Sequence, residues 1–214
     1  MTVLYTPLDI EFTMPPVEDI YKWFDANKIY DPEFWVFKEG RHDWALAAAS
    51  HVPENWQRIK PYEDWLAQDH KWSENAELVF APGFEESLPG LAQAIRSMPF
   101  LEIGAVGLLK QKKEIEPHTD TKDPTNPKEP RRYMMYLTDI ETNTFYVDDK
   151  LINIHPDYRA FAFNNTDAKH GAFPPRDDKI LMSVVGILDQ EWHEELIARS
   201  VAKFPDYVME VEDQ

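Results

Sequence analysis

The sequence predicts a mainly β protein, an antiparallel sandwich or barrel with flanking helices. Two observations carry this. Eight short strand-like segments, at 101–110, 113–119, 131–138, 143–148, 150–155, 159–164, 168–173 and 179–188, follow one another with turn residues between them. No helical period interrupts them until residue 190. Strands alternating with helices would indicate a parallel sheet, whereas closely spaced short strands indicate an antiparallel one.

The elements read as follows. Behind Pro15-Pro16, the residues Val17, Ile20, Tyr21 and Phe24 recur at helical spacing, which predicts a short amphipathic helix. Residues 31–72 mix aromatics with Pro, Asp and His without a sustained period, so irregular structure with short helices is expected. Six of the seven tryptophans (Trp23, Trp35, Trp44, Trp56, Trp65 and Trp72) fall before residue 73. They either pack this layer onto the main sheet or, for one or two of them, line a substrate groove. Residues 1–75 are therefore expected to form an N-terminal, Trp-rich layer that is not an independent domain, and 76–214 the core. Leu88, Leu91, Ile95 and Met98 form one helical face, which Pro99 ends. The segment 121–130 contains three prolines and reads as a loop. A last helix is expected at 190–203, behind Asp189 as N-cap and carrying Leu196, Ile197 and Val201.

Composition narrows the class of partner. The chain has 214 residues, a formal net charge of -17 and no cysteine. With 43% hydrophobic and 13% aromatic residues it has enough apolar material for one buried core. The acid excess argues against nucleic acid and anionic membrane, which it would repel. No apolar run approaches the roughly 20 residues of a membrane span, and Met1–Pro7 lacks the features of a signal peptide. Without cysteine there are no disulfides, thiolate metal sites or Cys nucleophiles. The expectation is a soluble, cytoplasmic protein that acts on a small molecule or a peptide. Nothing in the sequence bears on its oligomeric state.

The chemistry concentrates in His118-Thr119-Asp120 and His170. Side chains two apart on a strand share a face, so His118 and Asp120 aim an imidazole and a carboxylate at one point. His170 returns 52 positions later, after four predicted strands, where a two-sheet jelly roll can set it opposite. Two histidines and a carboxylate on one face of a metal leave the other face open, as a non-haem Fe(II) oxygenase requires. The bland alternative is two ordinary strand-end residues and a surface histidine.

The stretch from Gly107 through Ile115-Glu116-Pro117-His118-Thr119-Asp120 resembles the strand, turn and I-x-P-H-x-D signature of Fe(II)/2-oxoglutarate-dependent dioxygenases. The aspartyl/asparaginyl β-hydroxylase and prolyl hydroxylase branches are the most similar in shape. Phe161-Ala162-Phe163-Asn164-Asn165, followed by His170, is similar to their approach to the second histidine. The likeness spans roughly residues 100–190. It implies a double-stranded β-helix (jelly roll), Fe(II) held by His118, Asp120 and His170, O2 and 2-oxoglutarate as cosubstrates, and hydroxylation coupled to release of succinate and CO2.

The same resemblance implies a cation for the far carboxylate of 2-oxoglutarate, supplied after the second histidine. Lys179 and Arg176 are the candidates. Lys179 is preferred because it opens the last apolar strand, while Arg176 sits in a turn beside Pro174-Pro175; Ser183, of the same parity as Lys179, is a second donor. Tyr136 matches a tyrosine that prolyl hydroxylases place near 2-oxoglutarate. Arg131 and Arg132 are candidates for an anionic substrate group, or for cross-strand pairing with acids. Met134 stands where the β-hydroxylases carry a histidine. Residues 110–132 hold seven Lys/Arg against five Asp/Glu, a local excess of positive charge that suits an anionic cosubstrate.

A Fe(II)- and 2-oxoglutarate-dependent hydroxylase is thus the expected activity. Free amino acids, peptide side chains and small anionic metabolites all remain open as substrates. A carboxylate at 120 argues against halogenation, which needs that position vacant. The rival readings are a cupin-like metal-binding module without oxygenase activity, and a Zn or Mn hydrolase or isomerase with the same three ligands.

Overall fold

The computed structural model describes residues 2–30, 44–50, 78, 80–120, 131–138, 140–175 and 179–211. The loop 121–130, Arg176, and Trp35, Trp56, Trp65 and Trp72 lie outside the described residues. The chain runs β1 (Thr2–Pro7), α1 (Val17–Asn27), β2 (Lys28–Tyr30), β3 (Trp44–Ala48), α2 (Phe84–Ser87), α3 (Pro89–Arg96), β4 (Phe100–Gln111), β5 (Ile115–His118) and β6 (Arg131–Tyr136). It continues through β7 (Phe145–Val147), β8 (Lys150–Leu151), β9 (Ala160–Phe163), β10 (His170–Ala172), β11 (Ile180–Leu188), α4 (Gln190–Lys203) and β12 (Met209–Val211).

The protein is mostly β, with antiparallel sheets and few helices. The strands form a large sheet in the order β12-β1-β9-β6-β11-β4-β3-β2 and a small one in the order β5-β10-β7-β8. Strand alternation gives the large sheet two different buried faces. Ile180, Met182 and Val184 of β11, with Tyr133 and Met135 of β6, lie in a cluster that includes Ile20, Trp23 and Phe24 of α1, Leu91 and Ile95 of α3 and Leu196 of α4. Leu181, Met134, Tyr136, Phe161 and Phe163, one position out of phase, pack with Phe145 and Val147 of the small sheet. Both faces being covered, β11 reads in sequence as a continuous apolar run. Each large side chain buried this way contributes about 1.5–3 kcal/mol, and truncating Phe161 to Ala should cost about 3–5 kcal/mol.

The local signals behave as their chemistry dictates. α1 follows Pro16, whose carbonyl accepts from the Asp19 and Ile20 amides, and it buries Ile20, Trp23 and Phe24 along one stripe. Pro89 opens α3, where its missing N–H costs nothing. The Asp189 carboxylate caps α4 by accepting from the Trp192 amide at 3.0 Å. Ser200, buried on α4, accepts from the Asp9 amide at 2.9 Å and ties that helix to the segment after β1. The two residues between β7 and β8, Asp148 and Asp149, both have positive φ (50° and 59°), as a primed two-residue hairpin turn demands.

Three differences from the sequence reading concern strands. The predicted strand 150–155 shrinks to Lys150–Leu151. Beyond it the Ile152 amide still donates to the Phe145 carbonyl at 3.2 Å, but the strand stops there, and Ile152 and Ile154 are held by burial in the inter-sheet core. The large sheet gains β1 and β12, which pair with each other, and β1 also pairs with β9. In β1 Leu4, Tyr5, Thr6 and Pro7 are all buried, which erases the alternation that would have marked a strand. Within 31–72, expected to be irregular, Trp44–Ala48 forms β3 against β4. No helix among the described residues is long and apolar enough to cross a membrane.

Candidate metal centre

β5 and β10 pair so that His118 stands directly across from His170. Side chains in such a pair sit close on one face, and the two rings are 4.4 Å apart. Asp120 lies just past the end of β5, where its amide donates to the Asn165 carbonyl at 2.8 Å. Its Oδ1 is 3.6 Å from His118 Nε2 and 3.5 Å from His170 Nε2. One nitrogen from each ring and one carboxylate oxygen fall within 4.8 Å of one another. Donors about 2.1 Å from a common ion and at right angles sit about 3 Å apart, so small side-chain rotations bring this set onto a metal.

The electrostatics suit a cation. Burial alone would favour protonated Asp120. Arg132 Nε, 3.4 Å from Oδ2, and the two histidines override it, holding the carboxyl well below the ordinary carboxylate range. His118 Nδ1 donates to the Glu116 carbonyl at 2.8 Å, so in the neutral ring Nε2 keeps its lone pair toward Asp120. In the metal-free protein, the Asp120 contact raises the His118 pKa. Burial pushes His170 the other way, toward the neutral form. His170 is 2% exposed, wedged between Phe145 and Phe163, and neither of its ring nitrogens has a hydrogen-bond partner among the described residues. A buried imidazole that makes no hydrogen bond, its Nε2 only facing Asp120 Oδ1 at 3.5 Å, is costly unless a ligand is added. By donor type, spacing and this orphaned ring, the three residues fit a divalent metal.

The inner face of the large sheet carries the other candidates. Lys179 immediately precedes β11 and is 1% exposed. Its Nζ donates to Thr144 Oγ1 at 2.6 Å and lies 5.7 Å from the centre of the Tyr136 ring. Thr144 passes the polarity on, donating to Gln111 Oε1 at 2.7 Å, and the Gln111 amide donates to the carbonyls of Lys113 and Phe173. Burial pushes Lys179 down to about 7. Ser183 shares the parity of Lys179 and faces Met134 across the β6 ladder. Its hydroxyl is buried without a hydrogen-bond partner among the described residues.

The two arginines part company. Arg132 shares a face with Met134 and Tyr136 and reaches Asp120. Arg131 falls on the helical face with Tyr133, whose hydroxyl shares a hydrogen bond with His193 of α4. The structure thus brings together His118, Asp120, His170 and Arg132, and separately Lys179 and Tyr136. Arg176 lies outside the described residues. Three residues of this machinery went unassigned in the sequence: Asn165, Thr144 and Gln111. Asn165 sat inside the Asn-Asn segment before His170. Thr144 and Gln111 carry no motif and are found only through the Lys179 side chain.

A scan against models of protein families and a search of curated proteins both find nothing that matches this chain.

Proposed function

We propose that the protein is a Fe(II)- and 2-oxoglutarate-dependent oxygenase built on a double-stranded β-helix. The order of strands supports the fold. From β4 to β11 the chain passes between the sheets, with β4, β6, β9 and β11 in the large one and β5, β7, β8 and β10 in the small one. That alternation is what the winding of a double-stranded β-helix would produce. It carries the β5 end and the β10 start, and so all three ligand residues, to one place.

One observation favours this reading over a hydrolase or a plain metal-binding module. Lys179 is an ammonium buried in the sandwich, paired with a hydroxyl rather than an acid. A buried lysine held this way is expensive to keep charged, and a carboxylate delivered by a ligand would compensate it. Neither rival needs such a group.

His118, Asp120 and His170 would hold the iron, which when bound supplies the redox chemistry that couples oxidative decarboxylation of 2-oxoglutarate to substrate oxidation. Lys179 takes the far carboxylate of the cosubstrate as a charge-assisted donor. Thr144, fixed by Gln111, holds Nζ in place, and Tyr136 packs beside it. Ser183 offers a second hydroxyl on the same face. The substrate is an amino acid, a peptide side chain or a small anionic metabolite, oxidised with release of succinate and CO2.

The test is Fe(II)-dependent conversion of 2-oxoglutarate to succinate by the purified chain, compared with His170→Ala and Lys179→Ala. The reading expects succinate from wild type, none above background from His170→Ala, and recovery of Lys179→Ala only at much higher 2-oxoglutarate. Equal succinate from wild type and His170→Ala would overturn it.

A further inference from the structure

The two oxygens of Asp120 have different neighbours. Oδ1 faces His118 and His170 at 3.6 and 3.5 Å. Oδ2 faces Arg132 Nε at 3.4 Å and accepts from Asn165 Nδ2 at 3.2 Å. Asn165 holds Asp120 a second time through the backbone, its carbonyl accepting from the Asp120 amide at 2.8 Å. Asn165 is itself buried, 4% exposed. It sits in a turn that the preceding Asn164 closes by accepting from the Thr166 and Asp167 amides at 3.2 and 3.0 Å. Arg132 comes from β6 in the large sheet, so its charge reaches the carboxylate from a different direction than the Asn165 hydrogen bond.

We propose that Arg132 and Asn165 are positioning residues that reserve Asp120 Oδ2, leaving Oδ1 as the single carboxylate donor to the metal. This rests on the metal reading of the site. A two-histidine, one-carboxylate face leaves three positions of an octahedral ion open only if the carboxylate gives one oxygen. A carboxylate free to rotate could supply both oxygens and take a position that a cosubstrate needs. Arg132 is then committed to the ligand shell, and an anionic substrate group is recognised elsewhere. Nothing in the Arg-x-Met spacing of β6 indicates this; it follows from the alternation that turns Arg132 toward the small sheet and Arg131 toward the helices.

The experiment is Co2+ affinity of the full chain, measured by titration on wild type, Asn165→Ala, Arg132→Met, Arg132→Lys and Asp120→Ala, with metal-free melting curves as the control for folding. Partners that orient metal ligands typically matter tenfold to hundredfold in affinity, so Asn165→Ala and Arg132→Met should each weaken Co2+ binding by that much. The sign is diagnostic. By charge alone, removing the Arg132 cation should tighten Co2+ binding, and restoring it as lysine should loosen it again. The positioning role requires the reverse: Arg132→Met weaker than wild type, with Arg132→Lys between them because it keeps a charged donor. Wild-type or tighter affinity in either Asn165→Ala or Arg132→Met overturns the proposal while leaving the metal site standing. If one variant fails to fold, the other decides, since each must weaken binding by itself. Co2+ binding that is absent in wild type or unchanged in Asp120→Ala instead removes the metal reading, and the proposal with it.

Discussion

The ammonium of Lys179 is buried 2.6 Å from the hydroxyl of Thr144, and among the described residues no acid balances it. Desolvation holds its pKa at about 7, against an ordinary value of 10.5. A ligand carboxylate needs the charged form. On the proposed reading, below pH 7 Lys179 is a ready cation for 2-oxoglutarate, and above it the charged fraction falls about tenfold per unit. The apparent KM for 2-oxoglutarate should accordingly be flat below pH 7 and climb up to tenfold per unit above it. Steady-state kinetics from pH 6 to 9 check this, with Lys179→Met giving a high KM without that rise.

The same burial makes Lys179 a liability to the fold. Between pH 7 and 10.5 the unfolded chain binds a proton at this lysine that the folded chain does not, so its penalty shrinks as pH rises through that window and is full below pH 7. Lys179→Met should therefore raise the melting temperature of the metal-free protein by several degrees at pH 6 and by less at pH 9. Calorimetry at the two pH values measures it. A destabilised variant at pH 6 would mean that the lysine stem and its Thr144 hydrogen bond outweigh the buried charge.

Gly171 follows His170 and lies where β5, β10 and β7 cross-pair. A Cβ there would run into the Tyr146 hydroxyl and the Ile115 carbonyl oxygen. The tyrosine can swing away, but Ile115 is backbone of the strand that carries His118. Gly171→Ala should cost about 1–3 kcal/mol and weaken metal binding by displacing His118 from His170. Tyr146→Phe should not rescue it. Thermal melts and metal titration of the single and double variants decide; full rescue would place the strain on the side chain instead.

Much of this was legible in residues whose meaning is local. Asp189 as a cap, Pro89 at a helix start, and the shared face of His118 and Asp120 follow from short-range stereochemistry. The long strand β11 and the strand β9 were legible too, because covered faces leave apolar runs. What needed three dimensions was partnership. Arg131 and Arg132 are equivalent in sequence, and only the pairing of Arg132 with Val185 and of Met134 with Ser183 shows which one faces Asp120. Thr144 and Gln111 lie 33 residues apart and owe their role to one buried ammonium. β1 and β12 pair across nearly the whole chain, and Leu4, Tyr5, Thr6 and Pro7 of β1 are all buried, so the strand does not alternate.

The account rests on one ligand reaching both the metal residues and Lys179. Its most direct test is an anaerobic titration of the Fe(II)-loaded protein, following the visible charge-transfer absorption that a 2-oxo acid develops on chelating Fe(II). Two titrants are compared: 2-oxoglutarate and 2-oxobutyrate, which lacks the far carboxylate. Wild type should bind 2-oxoglutarate more tightly by about tenfold to a hundredfold, the worth of one charge-assisted contact. Lys179→Ala should bring the two affinities together, and His170→Ala should abolish the band for both. A wild type that shows no band with 2-oxoglutarate, or a Lys179→Ala protein that still prefers it, would contradict the account.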